Sequence, residues 1–241
     1  MPEVETNLLE WFAAHGAELP WRRTRDPYAI LVSEVMLQQT QVSRVVPRYE
    51  AWLERWPDVH ALAAASPADV IREWQGLGYN RRGLNLHRAA RAVAEHGWPD
   101  DLTELPGVGP YTAAAVRAFA LGEAILPRDT NVLRIEERTG HRFDPSCGQA
   151  LMDLGRTVCL ARVPRCDDCP LAAQCPSRGR RYEPLRKQSR FEGSFRQRRA
   201  QTLTLVAEDS RLTAELDAEA VDSLERDGLV ERVGDVVRLP G

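Results

Sequence analysis

Four of the five cysteines, Cys159, Cys166, Cys169 and Cys175, fall within 17 residues in the spacing C-x6-C-x2-C-x5-C. Four thiolates so close in sequence can surround one metal centre. Tetrahedral zinc accepts such a set, a [4Fe–4S] cluster accepts it too, and disulfides are the third possibility. The spacing departs from the paired C-x2-C of zinc knuckles and favours the cluster. Pro170 and Pro176 each follow a ligand and stiffen the loop. Cys147 is left over and reads as a small buried apolar residue.

A second chemical feature is Leu105-Pro106-Gly107-Val108-Gly109-Pro110, followed by Tyr111-Thr112-Ala113. Two glycines two apart let backbone N–H groups approach a phosphate oxygen closely. A helix starting near Pro110 would aim its positive end at the same place. Such a hairpin grips nucleic-acid backbone without reading sequence. A third feature is what is scarce. Lys187 is the only lysine among 32 basic residues, the rest being arginine. A Schiff-base mechanism needs an amine, and arginine does not lose its proton. Chemistry through an internal lysine therefore has one side chain to draw on.

The elements that must position these residues read as helices. Apolar residues recur at helical spacing through Leu8–Phe12, Ile30–Leu37, Val45–Leu53 and Leu84–Ala94. Ser66-Pro67-Ala68-Asp69 is a helix start, with a serine cap, proline in the first turn and an acid after it. The body is thus expected to be all-α. After about residue 200 the pattern changes. Ala218 to Gly228 reads as a helix, and Val230 to Leu239 roughly alternates around Gly234-Asp235, a hairpin signal. Together they suggest a small winged-helix-like α+β module, able either to contact DNA or only to pack. Charge follows the same divisions: −4 over residues 1–177, +7 over 178–199 and −6 over 200–241. A basic connector thus separates a mildly acidic body from an acidic tail. The acidic N-terminus carries no apolar signal segment, no run is long enough to span a membrane, and a cytoplasmic location is expected.

Further motifs share one pattern. Leu19-Pro20-Trp21-Arg22, Asp26-Pro27-Tyr28, Ser33-Glu34-Val35-Met36-Leu37-Gln38-Gln39-Thr40-Gln41-Val42, Gly76-Leu77-Gly78-Tyr79, Asn85-Leu86-His87 and Asp129-x-Asn131-Val132 stand with the hairpin. Met152-Asp153-Leu154-Gly155 leads into the cysteines. Taken together, residues of about 5–180 resemble the helix–hairpin–helix DNA glycosylase superfamily that includes endonuclease III, and within it the MutY-type adenine DNA glycosylases. The resemblance implies a two-lobed all-α fold. Residues 1–23 and 131–180 would form the iron–sulfur lobe and 24–130 the helical lobe with the hairpin. Residues 181–199 would be the connector and 200–241 the winged-helix-like tail. It also implies a [4Fe–4S] cofactor on the four cysteines.

The implied activity is hydrolysis of the N-glycosidic bond of a mispaired base, adenine opposite 8-oxoguanine or guanine, in double-stranded DNA. Glu34 would be the general acid, Asp129 the carboxylate facing the cationic sugar, and Asn131 the group orienting Asp129 or the water. Tyr111 stands where strand-cleaving relatives carry a lysine, which implies a monofunctional enzyme, acting as a monomer. Leu19, Trp21, Arg22, Leu37 and Gln149 would line the pocket for the flipped base. Gln38, Gln39, Tyr79, Gly107, Val108 and Gly109 would contact DNA, with Gln39 and Tyr79 entering the duplex. The connector arginines Arg180, Arg181, Arg186 and Arg190 could track phosphates. Three features depart from the family pattern. Asn80 replaces a tyrosine. Arg128 brings a cation next to Asp129, where it would act on that carboxylate. The stretch beyond residue 190 is too short for the family's 8-oxoguanine-reading domain. An enzyme for uracil, thymine or hypoxanthine is therefore the alternative, and a non-enzymatic iron–sulfur DNA-binding protein is the alternative of another class.

Overall fold

Side-chain caps set many of the helix starts. Ser66 accepts from the Asp69 N–H at 3.1 Å with Pro67 in the first turn, and Asp58 accepts from His60 and Ala61 at 2.9 and 2.8 Å. Each cap satisfies amides that the helix itself leaves without acceptors. The computed structural model describes residues 2–182 and 190–241. Lys187 and Arg186 lie outside the described residues. The helices are α1 (Glu3–His15), α2 (Pro27–Leu37), α3 (Val42–Arg55), α4 (Val59–Ala63), α5 (Pro67–Trp74), α6 (Arg81–His96), α7 (Pro110–Phe119), α8 (Thr130–Thr139), α9 (Gly148–Thr157), α10 (Phe195–Glu208) and α11 (Ala218–Arg226). Three short strands, β1 (Arg211–Leu212), β2 (Glu231–Val233) and β3 (Val236–Arg238), form one antiparallel sheet in the order β1-β3-β2. Among the described residues no helix is long and apolar enough to cross a membrane.

The chain divides into two units, one holding the described residues of 1–30 and 110–187, the other those of 31–109 and 188–241. In the first unit, α1, α8 and α9 pack around Leu8, Val132, Ile135, Leu151 and Leu154, with Leu171 from the cysteine segment in the same core. Cys147 is fully buried there, and burial pushes its thiol up to about 11. Two buried carboxylates are tied down by cations. Asp153 takes Arg22 at 2.9 Å, Arg156 at 3.0 Å and the Ala17 N–H at 2.9 Å. Glu136 takes Arg128 at 3.0 Å and Arg142 at 2.6 Å.

In the second unit, Trp52 meets Trp56 and Trp74 edge-on, with ring centroids 4.6 and 5.4 Å apart. The C-terminal residues are built onto this unit. Leu203 and Val206 of α10, Val221 and Leu224 of α11 and Val237 of β3 share one core with Ile71 of α5 and Leu84 of α6. Burying each of these side chains contributes roughly 1.5–3 kcal/mol before entropy is counted. The expected helix-then-hairpin module is present, with β2 and β3 meeting around Gly234-Asp235 in the register Val233↔Val236. The sheet gains a third strand, β1, too short to show as an alternating pattern. The division also differs from one drawn at residues 23, 130 and 180. It falls inside α2 and just before α7, and α10 begins within the basic connector. There Arg198 pairs with Asp217 at 2.6 Å and Glu219 at 2.8 Å, and Arg199 pairs with Asp227.

Candidate functional site

Asp129 stands immediately before α8 and is held by three hydrogen bonds. Its Oδ1 accepts from the Asn131 and Val132 N–H groups at 2.8 and 2.7 Å, and its Oδ2 from Asn131 Nδ2 at 2.7 Å. The geometry lets this residue cap the helix and stand as a fixed carboxylate at once. One oxygen caps the helix while the second is fixed by a side chain. Asn131 is fixed in turn. Its Oδ1 accepts from Arg134 at 2.8 Å, and Arg134 also donates to Gly155 O at 2.8 Å and Cys159 O at 2.9 Å. A Cβ at position 155 would stand 2.4 Å from the Cβ of Asn131, so only glycine permits this approach. Burial lowers the Arg134 pKa, with Cys159 and Asp129 opposing it and the Arg138 cation adding to it. Arg134 carries no motif signal; its place depends on Gly155 of α9, 21 residues away, and on Cys159 beyond that helix. Arg128 does not act as its neighbour position suggests. Its guanidinium is drawn to the buried Glu136.

The four cysteines of the spacing motif line one cavity, together with Ile135, Arg138, Leu154, Val158 and Leu171. Arg138 donates to Cys159 Sγ at 3.3 Å, the Gly179 N–H donates to Cys166 Sγ at 3.3 Å, and the Cys175 thiol donates to Arg138 O at 3.6 Å. Arg138 is itself buried and stacks on Tyr182, 3.9 Å from the ring centroid. Burial pushes the Cys169 thiol up to about 11; the Leu171 backbone opposes this, and Cys159, Cys175 and Cys166 add to it. The four sulfurs are therefore electrostatic neighbours. Among the described residues no group of three or more His, Cys, Asp or Glu side chains is arranged to hold a metal ion. Arg138 and Tyr182 are further residues that spacing could not reveal, because their partners come from the folded loop.

In the other unit, Glu34 lies on α2 and is 6% exposed, with Val32, Ser33, Val35 and Met36 buried around it in sequence. Leu37 and Gln38 are half-buried and Gln39 is exposed. Gln39 and Tyr79 have φ of 57° and 46°, and they are the only described non-glycine residues in the left-handed region. That region is disfavoured for side chains with a Cβ. Such strain gathers at functional positions. Thr40 Oγ1 joins the two segments by donating to Leu77 O at 3.3 Å. Further along the chain, Gly107 has φ of 78°, and a Cβ there would come within 2.7 Å of Asn85. The Val108 N–H is used inside this turn, donating to Leu105 O at 3.1 Å. Amide capture of a phosphate thus falls to Gly107 and Gly109, ahead of the first turn of α7. Tyr111 sits half-buried in that turn.

The expected base-pocket residues divide. Leu19 is buried, and Trp21, Leu37 and Gln149 are half-buried. Arg22 is committed elsewhere. It bonds Asp153 and Ala17 O, at 2.9 and 2.6 Å, and lies 5.2 Å from the Phe12 ring centroid. A buried carboxylate at Asp153 demands a cation, and this is the one that reaches it from the N-terminal segment.

Residues 32–145 match the family described as HhH-GPD superfamily base excision DNA repair protein. An adenine DNA glycosylase of Mycolicibacterium smegmatis is 39% identical over 272 residues, covering 95% of this chain and 92% of the relative. The human adenine DNA glycosylase is 38% identical over 72% of this chain but only 39% of its own length. Among solved structures, a thermostable thymine-DNA glycosylase superposes with a TM-score of 0.64 at 25% identity, covering 72% of this chain and 94% of the other. A trapped endonuclease III–DNA covalent intermediate gives 0.62 at 22% identity over 72% of this chain and 93% of the other.

Proposed function

The chain belongs to the adenine DNA glycosylases of the helix–hairpin–helix base excision repair superfamily, and from that premise we propose that it hydrolyses the N-glycosidic bond of adenine mispaired with 8-oxoguanine or guanine, leaving an abasic site. The observation that carries this reading is Asp129, a carboxylate immobilised by three hydrogen bonds. Such a group is pre-oriented to stabilise positive charge developing on a sugar, with no reorganisation at the moment of reaction. Asn131 keeps Oδ2 of that carboxylate in place. Glu34 supplies the proton to the departing purine. It stands buried on α2, 6% exposed, among mostly apolar neighbours, and a positioned carboxylic acid can serve this step. The base leaves with that proton, and water delivers hydroxide to the sugar carbon and its second proton to solvent.

DNA is gripped at the phosphates by the Gly107 and Gly109 amides and the N-terminus of α7. The strained Gln39 and Tyr79 enter the duplex where the adenine has left the stack. Leu19, Trp21, Leu37 and Gln149 receive the flipped base. Tyr111 has no amine to attack the sugar, which supports a monofunctional enzyme; a monomer is the state proposed. Cys159, Cys166, Cys169 and Cys175 would hold a [4Fe–4S] cluster. Four sulfurs around one cavity supply the four-thiolate set of such a centre, and their spacing departs from the paired C-x2-C of zinc knuckles. The bound cluster would tie the cysteine segment to α8 and α9 and supply no atom to the hydrolysis.

The test is a panel of duplexes carrying adenine opposite 8-oxoguanine, adenine opposite guanine, thymine or uracil opposite guanine, and hypoxanthine. Adenine should be released from the first two, with strand scission only after alkali and no borohydride-trapped adduct. Release of thymine in place of adenine would move the enzyme to the specificity of its structural neighbour. Release of no base by protein with its cluster intact would overturn the enzymatic reading.

A further inference from the structure

Arg82, in the first turn of α6, is in no motif that carries the family resemblance, yet its guanidinium makes six hydrogen bonds. One guanidinium nitrogen donates to Val35 O at 2.7 Å and Gln38 O at 2.5 Å, with Met36 O at 3.4 Å. The other donates to Leu77 O at 3.2 Å, Gly78 O at 3.1 Å and Thr40 Oγ1 at 3.3 Å. The plane lies near two rings, with centroids 5.6 Å away at Trp74 and 5.5 Å at Tyr79. Burial draws its pKa down to about 10, with the Tyr79 hydroxyl opposing, so it stays charged at neutral pH. Among the described ion pairs none includes Arg82. Its charge is met by carbonyls.

Those carbonyls are not scattered. Val35 and Met36 lie at the C-terminal end of α2, directly after Glu34, where a cation complements the helix dipole. Gln38 O immediately precedes Gln39, and Gly78 O immediately precedes Tyr79. One planar fork therefore fixes the peptide before each of the two left-handed residues. Only a guanidinium has donors enough, in a rigid plane, to do both.

We propose that Arg82 is a positioning residue for reading the strand opposite the excised base. It locks Gln39 and Tyr79 into a single preformed wedge and ties that wedge to the helix end bearing Glu34. This rests on the reading that Gln39 and Tyr79 enter the duplex. Without Arg82 the two strained residues relax to ordinary backbone conformations. Wedge insertion then no longer accompanies positioning of the acid, and discrimination among opposite bases falls.

The experiment compares full-length, cluster-loaded wild type with Arg82→Lys, Arg82→Gln, Thr40→Val, Gln39→Ala and Tyr79→Ala. Single-turnover adenine release is measured opposite 8-oxoguanine, guanine and cytosine. Unstacking is followed by 2-aminopurine fluorescence next to the opposite base, and folding by thermal melting. The expected result is that Arg82→Gln abolishes the fluorescence rise and cuts the 8-oxoguanine-to-cytosine rate ratio at least tenfold. Arg82→Lys should restore part of both and Thr40→Val should lose a smaller part, all at melting temperatures that do not track the loss. Unchanged fluorescence and rate ratio in Arg82→Gln, while Tyr79→Ala or Gln39→Ala loses them, overturns the proposal. Unchanged fluorescence in those two alanine variants overturns the wedge reading beneath it. If Arg82→Gln does not fold, the lysine and Thr40→Val variants decide. Losses that merely follow their melting temperatures also overturn the positioning role.

Discussion

The two units each contribute one candidate carboxylate, and they position it by opposite means. Asp129 is held by three hydrogen bonds and a relay through Asn131 and Arg134 to the backbone of Gly155 and Cys159. Glu34 sits in an apolar turn of a helix whose end is fixed by Arg82. The surrounding cations differ in the same way. In the unit with Asp129, buried Asp153 and Glu136 pair with Arg22, Arg156, Arg128 and Arg142. In the unit with Glu34, Arg82 is met by backbone carbonyls alone save for one hydroxyl. Carboxylate-paired cations make stability depend on pH. A carbonyl-paired cation instead stores geometry, since nothing that accepts from it titrates in the ordinary range. The surroundings of Asp129 are thus expected to be sensitive to protons and to the glycine contact, and the helix end bearing Glu34 to the loss of one guanidinium.

The sharpest way to break that contrast is Gly155→Ala. The added methyl needs space 2.4 Å from the Asn131 Cβ, so Asn131 must shift and Asp129 loses its Oδ2 partner. Single-turnover adenine release should fall roughly 10–100-fold, the range a small misplacement of a reacting group produces. Binding to an uncleavable duplex should change far less. An unaltered rate would show that Asp129 does not depend on the relay.

A second effect is one of stability, in the unit with Asp129. Asp153→Asn leaves Arg22 short of charge in a buried setting and should cost about 3 kcal/mol in urea unfolding. The pH dependence follows from the same groups. At Asp153 and Glu136, burial raises the pKa but the arginine hydrogen bonds outweigh it, and both end below their ordinary values of 3.8 and 4.5. Each therefore contributes stability that is fully present above its ordinary value and is lost as pH falls through the lower folded one. Urea midpoints of wild type should decline below about pH 4.5, and the decline should shrink in Asp153→Asn. An equal decline in both would remove Asp153 from the account.

Much of this is legible in the sequence. Helix starts such as Ser66-Pro67 act through neighbours three residues away, and the cysteine loop and the glycine hairpin are local patterns too. The carboxyl-terminal helix and hairpin were readable for the same reason. What was not legible depends on distant partners. Arg22 stands beside Trp21 in a motif, but its charge is claimed by Asp153, 131 residues away. Arg128 stands beside Asp129 but turns to Glu136, a full two turns along the chain. Arg82, Arg134 and Arg138 lie among 31 arginines, and sequence cannot say which few are buried. The left-handed backbone at Gln39 and Tyr79 had no signal, since neither glycine nor asparagine marks it. β1 is two residues long and exists only because β3 offers an edge.

The most direct measurement is single-turnover release of adenine opposite 8-oxoguanine by wild type and by Glu34→Gln, with affinity for the same duplex measured alongside. Wild type should release adenine, and Glu34→Gln should bind comparably but release it on the order of 10³-fold more slowly, the loss expected when a general acid is removed. A Glu34→Gln enzyme that releases adenine at the wild-type rate would contradict the assignment of Glu34 as the proton donor and the chemistry built on it.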